Sequence, residues 1–335
     1  MEHFEIVATI RRDKEAPLDK EHFPNMVCRL YKQGVTRFRI NLAKFGEDYF
    51  NIIIEDIKEA RKRVSGDIYF ILDFPFPGKK SRIHIEDRIS FETGQQIKVF
   101  STDIVTELSD YELEINTPLV GKKMKIKERV WYGDGTVCFE VEEIIDESTV
   151  ILRALNGGVI ENTKALNFTG SLLYDDSILK HIIYMFKNTK CEYLALSFVE
   201  NGIQLKEIKE RLGDLNCKII SKVESSGGVE NIEEICDYSD EIMLGRGDLG
   251  LYSDISEFGF SQDKVINVCQ SKGKKVWLAT DFLSSMESRI FPTRAEVIDV
   301  YNAKKSGANG IIITYGVIRS NQCNDAIEII NKQRC

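Results

Sequence analysis

The amino-acid sequence predicts an α/β protein, a (β/α)8 TIM barrel with an inserted all-β lid domain after the third barrel strand. Eight short, β-rich apolar runs recur along the chain with helically spaced segments between them. Several of these runs end in polar residues, and in a parallel α/β fold ligand chemistry gathers at the carboxyl ends of the strands. Between residues 81 and 170 the alternation stops, leaving short alternating runs separated by turn signals. The expected division is residues 1–80 and 171–335 for the barrel and 81–170 for the β-rich lid.

Residues 4–10 form the first expected strand, and 19–33 read as a helix stopped by Gly34. The run 36–42, TRFRINL, alternates as a second strand and places Arg39 and Asn41 on one face near its end. Residues 47–64 carry Phe50, Ile53, Ile54, Ile57 and Ala60 at helical spacing, and 68–74 is a third strand closing near Asp73. Within the insertion, Gly133-Asp134-Gly135 and Asn156-Gly157-Gly158 are expected hairpin turns. This pattern fits a small domain that closes over a site and a purely structural insertion equally well. Alternation then resumes: 175–188 helical, 193–199 (YLALSFV) a strand and 202–212 helical. Runs 218–224, 241–247, 274–280 and 310–314 are strands five to eight, and 321–332 is a last helix. An open doubly wound sheet is the alternative, but eight evenly spaced units favour closure.

A chain of 335 residues that is 43% hydrophobic and 29% charged can bury a full core. Its formal net charge of -8 argues against nucleic acid and against an acidic membrane surface, since either partner needs a basic face. No run has the length of a transmembrane helix, and MEHFEIVATI lacks the zones of a signal peptide. The eight cysteines are scattered without a CxxC, which suits reduced thiols in a cytoplasmic protein rather than a metal cluster. All four histidines, His3, His22, His84 and His181, fall outside the strand ends, which disfavours a histidine-activated nucleophile.

The richest stretch is 217–280, where Lys222, Glu224, Asp248 and Thr280 all stand at strand ends. Two carboxylates with no His or Cys beside them suit a hard divalent cation such as Mg²⁺ or Mn²⁺ that keeps several waters. Lys222 lies two residues before Glu224 on the same strand face, and Arg39 ends another strand. A carboxylate-bound metal flanked by Lys and Arg can neutralise a phosphate or a developing enolate. The plainer alternative is a pair of rim carboxylates satisfied by lysines, with Lys222 reaching solvent. Gly245-Arg246-Gly247-Asp248-Leu249-Gly250 opens a helix whose amides could receive a small anion, or it is an ordinary turn. A hydroxyl at Thr280 could relay a proton, or serve only as a cap.

The segments SKVESSGGVENIEEI, SDEIMLGRGDLG and GKKVWLATDFLSSMESRIFPTRAEVIDVYNA resemble the active-site strands and loops of pyruvate kinases. RINLAKFG, ILDFPFPG, LALSFVE, YGDGTV and NGGVIENTKALNFTG resemble further landmarks of that family, in the same order, and the likeness runs from about residue 4 to 316. The resemblance implies a barrel with a β lid and assigns Glu224 and Asp248 to the divalent metal and Lys222 to the transferring phosphoryl group. It places Arg39 and Ser197 around the phosphate of phosphoenolpyruvate and Gly247, Asp248 and Thr280 around its carboxylate, with Asn41 also among the substrate-binding residues. Thr280 also matches the threonine associated with protonating the enolate. Lys164 matches the lid lysine that meets nucleotide phosphates, while Lys80 or Arg82 takes the part of the family's arginine after the third strand. The implied reaction is phosphoryl transfer from phosphoenolpyruvate to ADP or another diphosphate, giving pyruvate, and the implied assembly is a homodimer through the barrels.

The sequence also departs from the family. Asn41 and Asp73 remain of the potassium-binding set, but Ala43 and Phe74 replace its hydroxyls, so potassium is not expected. Arg11-Arg12-Asp13-Lys14 replaces the family's Gly-Pro-Ala-Ser loop, and Lys44 replaces a histidine, both at nucleotide-binding positions. Thr314-Tyr315-Gly316-Val317 stands where the family has Ser-Gly-Glu-Thr-Ala. With one helix after it, a C-terminal regulatory domain and its sugar-phosphate effector site are not expected. Three functions follow for testing: a pyruvate kinase-like phosphotransferase, a metal-dependent lyase or aldolase working through a pyruvate enolate, and a non-catalytic homologue that binds a metabolite or a protein.

Overall fold

In the computed structural model, the eight apolar runs pair in parallel into one closed barrel. Its strands are β1 (Glu5–Thr9), β2 (Arg37–Asn41), β3 (Tyr69–Phe74), β4 (Tyr193–Leu196), β5 (Lys218–Val223), β6 (Glu241–Gly245), β7 (Lys275–Ala279) and β8 (Gly310–Ile313). β8 closes onto β1 with Glu5 opposite Gly310, where a side chain at residue 310 would strike the ring of Trp277. The structure describes residues 4–12, 21–42, 49–74, 78–101, 108, 110–133, 135–162, 164–168, 172–174 and 176–333.

Strand pleating sends alternate residues into the barrel and out towards the helices. Outward residues such as Phe38, Ile40, Leu72, Leu194 and Ile242 join the main core under the helices. Those helices include α1 (His22–Tyr31), α2 (Phe50–Arg63), α3 (Asp176–Thr189) and α4 (Gly202–Leu212), then α5 (Ile232–Tyr238), α6 (Arg246–Tyr252), α7 (Phe258–Ser271), α8 (Arg294–Lys305), α9 (Tyr315–Arg319) and α10 (Cys323–Lys332). Inward residues form layers. Val7, Ile71, Ala195, Ile220, Met243 and Ile312 make an apolar middle layer.

The layer at the amino ends is charged and closed. The Arg37 guanidinium donates to Glu241 at 3.0 Å and to the Tyr193 hydroxyl at 3.1 Å, and Trp277 Nε1 donates to Glu241 at 2.7 Å. Glu5 adds a second carboxylate at 3.2 Å, and the guanidinium stacks 4.7 Å from the Trp277 ring. Burial opposes the charge on Arg37, yet Glu241, Tyr193 and Glu5 outweigh it and raise its pKa. The guanidinium of Arg37 and the indole N–H of Trp277 find their partners inside the barrel, so a satisfied charged layer lies below the apolar one.

The chain divides into two units, one up to Phe76 and again from Asp176, the other from Pro77 to Asp175. The second holds a seven-stranded sheet with its own core of Val99, Leu113, Val130, Phe139 and Leu152. Its two ends pair with each other, Gly78–Lys80 running antiparallel to Leu172–Tyr174. Its helical content among the described residues is the single turn Val120–Lys123.

The expected hairpin at residues 133–135 is present, joining Tyr132 to Val137, although Asp134 lies outside the described residues. The one expected at 156–158 is not. Gly158–Ile160 pairs instead with Ile89–Phe91, and Asn156 uses its side chain to accept from the Cys138 amide and donate to the Thr136 carbonyl. The tight hairpin that sequence reading overlooked joins Asp146 to Thr149 through Glu147 and Ser148. It has no glycine, and the Asp146 side chain accepts from the Ser148 amide at 2.7 Å to close the turn.

Candidate active site

At the carboxyl ends the inward positions turn polar, so the pleat that buries Ile220 also points Lys222 and Glu224 into the mouth of the barrel. Both are buried, at 6% and 3% exposure, where a lone charge would be costly. The three protons of the Lys222 ammonium are matched by three partners. Nζ donates to Ser197 Oγ at 2.8 Å and forms ion pairs with Glu224 Oε1 at 3.0 Å and Asp73 Oδ2 at 3.3 Å. Burial pulls its pKa down, but Asp73 and Glu224 more than compensate, and the net shift is upward. Lys222 is therefore a fixed cation.

Asp73 joins two strands. Its Oδ2 accepts from Arg39 Nε at 2.7 Å, and Arg39 also donates to Thr9 Oγ1 at 3.2 Å. Asp73 is 1% exposed, so Arg39 and Lys222 share a carboxylate that water scarcely reaches. Sequence reading placed Asp73 only as a remnant of a potassium set. Its position as the third inward residue of β3, opposite Asn41 in the register, was the signal that could have found it.

Glu224 is held from the other side. Its Oε2 accepts from the Phe198 amide at 2.9 Å, with Phe198 in the left-handed region at φ 52°. Gly245 leaves room for the same carboxylate, since a Cβ there would lie 2.6 Å from Glu224 Oε1. Asp248 lies half-buried in the first turn of α6 and its charge acts on Lys222. Glu224 and Asp248 supply oxygen donors without nitrogen or sulfur, a set that fits Mg²⁺ or Mn²⁺ with water completing the shell.

Beyond β7, Thr280 and Asp281 both take positive φ, at 81° and 64°, a conformation that costs a non-glycine residue about 1 kcal/mol or more. Arg246 holds this turn. It donates to the Thr280 carbonyl at 2.7 Å, forms two bonds to Asp299 of α8 at 2.9 and 2.7 Å, and lies 4.0 Å over the Phe282 ring. Gly247 follows, and a Cβ on it would come within 3.0 Å of Thr280 Cγ2. The start of α6 thus packs directly on Thr280. Arg246 was missed at the sequence level because its partners are a backbone carbonyl and a residue 53 positions away.

Arg39 and Asn41 also line a cavity of about 360 Å³ with Thr9, Arg11, Glu287, Thr314 and Arg319. Phe74 packs on Phe50 in the helix layer rather than facing the site. Arg12 is buried in an ion pair with Asp56 of α2. The departures Asp13, Lys14, Ala43 and Lys44 lie outside the described residues. The three nucleotide candidates belong to the inserted unit. There Lys164 is exposed, with its carbonyl accepting from the Ile83 amide, and the exposed Arg82 pairs with Ala165 in an isolated bridge. The side chain of Lys80 is outside the described residues.

The closed (β/α)8 barrel thus carries at its carboxyl mouth a buried Lys222 set between Asp73 and Glu224, with the half-buried Arg39 on the same Asp73 carboxylate. The family model for the pyruvate kinase barrel domain matches residues 2–321, and the chain belongs to that family. The pyruvate kinase of Debaryomyces hansenii is 28% identical over 316 residues, covering 92% of this chain and 62% of that protein. The pyruvate kinase of Geobacillus stearothermophilus is 27% identical over 296 residues, covering 86% of this chain and 50% of that protein. A crystal structure of a pyruvate kinase from Cryptosporidium parvum superposes with a TM-score of 0.86 at 25% identity, covering 99% of this chain and 68% of that one. The chain thus spans between half and about two thirds of the length of these relatives.

Proposed function

We propose that this chain catalyses metal-dependent phosphoryl transfer from phosphoenolpyruvate to a nucleoside diphosphate, leaving pyruvate. One observation carries the reading: a buried Lys222, its charge favoured by Asp73 and Glu224, held by Ser197, Asp73 and Glu224 at the barrel mouth. In such a transfer the bond between phosphorus and the enol oxygen breaks, a diphosphate oxygen bonds to phosphorus, and the enolate takes a proton at its methylene carbon. Charge spreads over the phosphoryl oxygens on the way, and fixed cations stabilise it without reorganising. Lys222 and Arg39 supply them, and Ser197 and Asn41 orient the donor phosphate. Glu224 and Asp248 would hold Mg²⁺ or Mn²⁺, which supplies Lewis-acid stabilisation of the enolate and phosphoryl oxygens. The amides of Gly247 and Asp248 at the start of α6 receive the substrate carboxylate, and Thr280 passes the proton to the enolate. No potassium requirement is expected, because Asp73 is committed to Lys222 and Arg39. Lys164, with Lys80 or Arg82, would meet the diphosphate.

The second reading, a lyase or aldolase acting through a pyruvate enolate, is favoured by Arg11 and Arg12 standing where relatives have a nucleotide loop. Incubation with phosphoenolpyruvate, Mg²⁺ and a panel of diphosphates separates the two. Triphosphate and pyruvate are expected together; detritiation of labelled pyruvate without any triphosphate would favour the lyase. Homodimerisation through the barrel is part of the proposal, supported by the exposure of Ile255, Phe260, Ile290 and Phe291. Sedimentation of Phe260→Glu/Phe291→Glu should show monomers. No described helix is long and apolar enough to cross a membrane, and a reduced, cytoplasmic setting is proposed from the free thiols.

A further inference from the structure

Among the described cysteines, all of them free, only Cys236 and Cys269 bring their sulfurs together, at 3.9 Å. They are 33 positions apart in the chain, in the last turns of α5 and α7, and both side chains are buried. Each of these helices runs back from the carboxyl to the amino end of the barrel. The pair therefore lies near the amino ends of β6 and β7, at the end of the barrel opposite to Lys222 and Glu224.

The two thiols are not equivalent. The hydrogen bond from Cys269 draws Cys236 below its ordinary pKa, and Lys274 and Lys272 assist against burial. That bond, burial and the charge on Cys236 hold Cys269 up. Cys236 is thus the easier thiolate and Cys269 the proton-bearing neighbour, the arrangement of an attacking thiol and its resolving partner. The two lysines also tie the helix ends together, Lys272 Nζ donating to Asp237 and Lys274 Nζ to the Ser239 carbonyl, each at 2.7 Å. Asp237 and Gln270, the next residue after each cysteine, are exposed. A terminal turn opens more readily than a helix centre, which gives a small oxidant its route to the sulfurs. An approach of about 2 Å then brings the sulfurs to bonding distance.

We propose that Cys236 and Cys269 are a modification site, an oxidisable dithiol that a peroxide converts to a disulfide between α5 and α7. The Cys236 thiolate attacks one peroxide oxygen, the O–O bond breaks, and hydroxide leaves to take a proton as water. Cys269 then attacks the sulfenic sulfur of residue 236. The S–S bond forms, the S–O bond breaks, and the thiol proton of Cys269 leaves with the hydroxide as a second water. Two electrons pass from the thiols to the peroxide, and an external dithiol returns them. Transient disulfides of this kind occur in otherwise reducing compartments. The cross-link closes the stretch 236–269 around β6 and α6, which carry Gly245 and Asp248. Its effect is on stability, through the restricted unfolded chain, and it does not depend on the reaction proposed for the barrel mouth.

The test treats the full chain with hydrogen peroxide, blocks remaining thiols by alkylation, and maps the digest by mass spectrometry. A joined peptide pair containing Cys236 and Cys269 and lacking both thiol hydrogens is expected, and dithiothreitol should abolish it. The oxidised chain should melt about 5 °C or more above the reduced one, while Mn²⁺ binding read by electron paramagnetic resonance changes less than about twofold. Cys236→Ala and Cys269→Ala should each lose the peroxide-induced rise in midpoint. The peptide map of the unaltered chain decides the matter even where a variant folds poorly. Peroxide that leaves both thiols free to alkylate overturns the proposal, as does a disulfide formed through Cys28 or Cys217 in their place. A midpoint that fails to rise, or Mn²⁺ binding lost on oxidation, would reject the stabilising cross-link.

Discussion

At the scale of the residue, the site turns on how a lysine can be both buried and charged. Asp73 and Glu224 provide the answer, and each makes a prediction. Lys222→Met removes the cation and should lower phosphoryl transfer by about a thousandfold or more, the scale of losing a preorganised electrostatic contact. Mg²⁺ binding, read by titration with Mn²⁺ in electron paramagnetic resonance, should persist, because Glu224 and Asp248 remain; transfer at near the original rate would rule out the role of Lys222. Asp73→Asn leaves two cations with less compensation and should cost about 3 kcal/mol in chemical denaturation, as for removing one partner of a buried pair. It should also change the pH profile. Burial depresses the Lys222 pKa while Asp73 helps to raise it. The stabilising charge is present at low pH and lost as pH rises through the folded pKa. Without Asp73 that loss should come at lower pH, so the alkaline limb of activity moves towards neutrality; an unmoved limb would assign it to another group.

At the scale of the element, strand pleating made much of the site readable in advance, because inward positions recur every second residue. Arg39 with Asn41 and Lys222 with Glu224 followed from that period alone. What did not follow is non-local: Asp73 gains its place only when β3 is set beside β2 and β4, and Arg246 only when α8 brings Asp299 to it. The hairpin at Glu147 and Ser148 stayed hidden because an aspartate side chain does there what glycine usually does. Two element-level predictions follow from close contacts. Gly245→Ala at the end of β6 should displace the Glu224 carboxylate and weaken Mg²⁺ activation about tenfold or more, while α6 and the barrel keep their far-ultraviolet dichroism. Glu296 closes the capping box of α8, accepting from the Thr293 amide and from Ser285. Burial opposes its charge, but hydrogen bonds from Ser285 and Thr293 prevail and hold its pKa down at about 2. A carboxylate so depressed stabilises the fold above its unfolded pKa and loses that effect as pH falls towards 2. Glu296→Gln should therefore cost about 1 kcal/mol, the usual scale of a lost cap, undiminished from pH 7 to about 5 and shrinking below about 4.5. A penalty unchanged at pH 3.5 would show that the carboxylate charge is not what the cap uses.

At the scale of the whole molecule, two cores and two jobs coincide. The barrel encloses its charged plug, its apolar layer and the Lys222 cluster without residues from the insertion, and the insertion has a core of its own. The paired strands Gly78–Lys80 and Leu172–Tyr174 hold the two ends of the insertion side by side, so a short linker can replace it without stretching the barrel. A chain in which residues 77–175 give way to a Gly-Ser linker should fold, with the near-ultraviolet signal of Trp277 in its plug preserved. Enolate chemistry needs only the donor half, so Mg²⁺-dependent detritiation of pyruvate should survive within about tenfold. Phosphoryl transfer to a diphosphate should fall far more steeply, because Lys164, Lys80 and Arg82, proposed to meet the diphosphate, go with the insertion. If the shortened chain still made triphosphate at the original rate, diphosphate recognition would have to lie in the barrel, and Arg11 and Arg319 would be the first residues to examine for it.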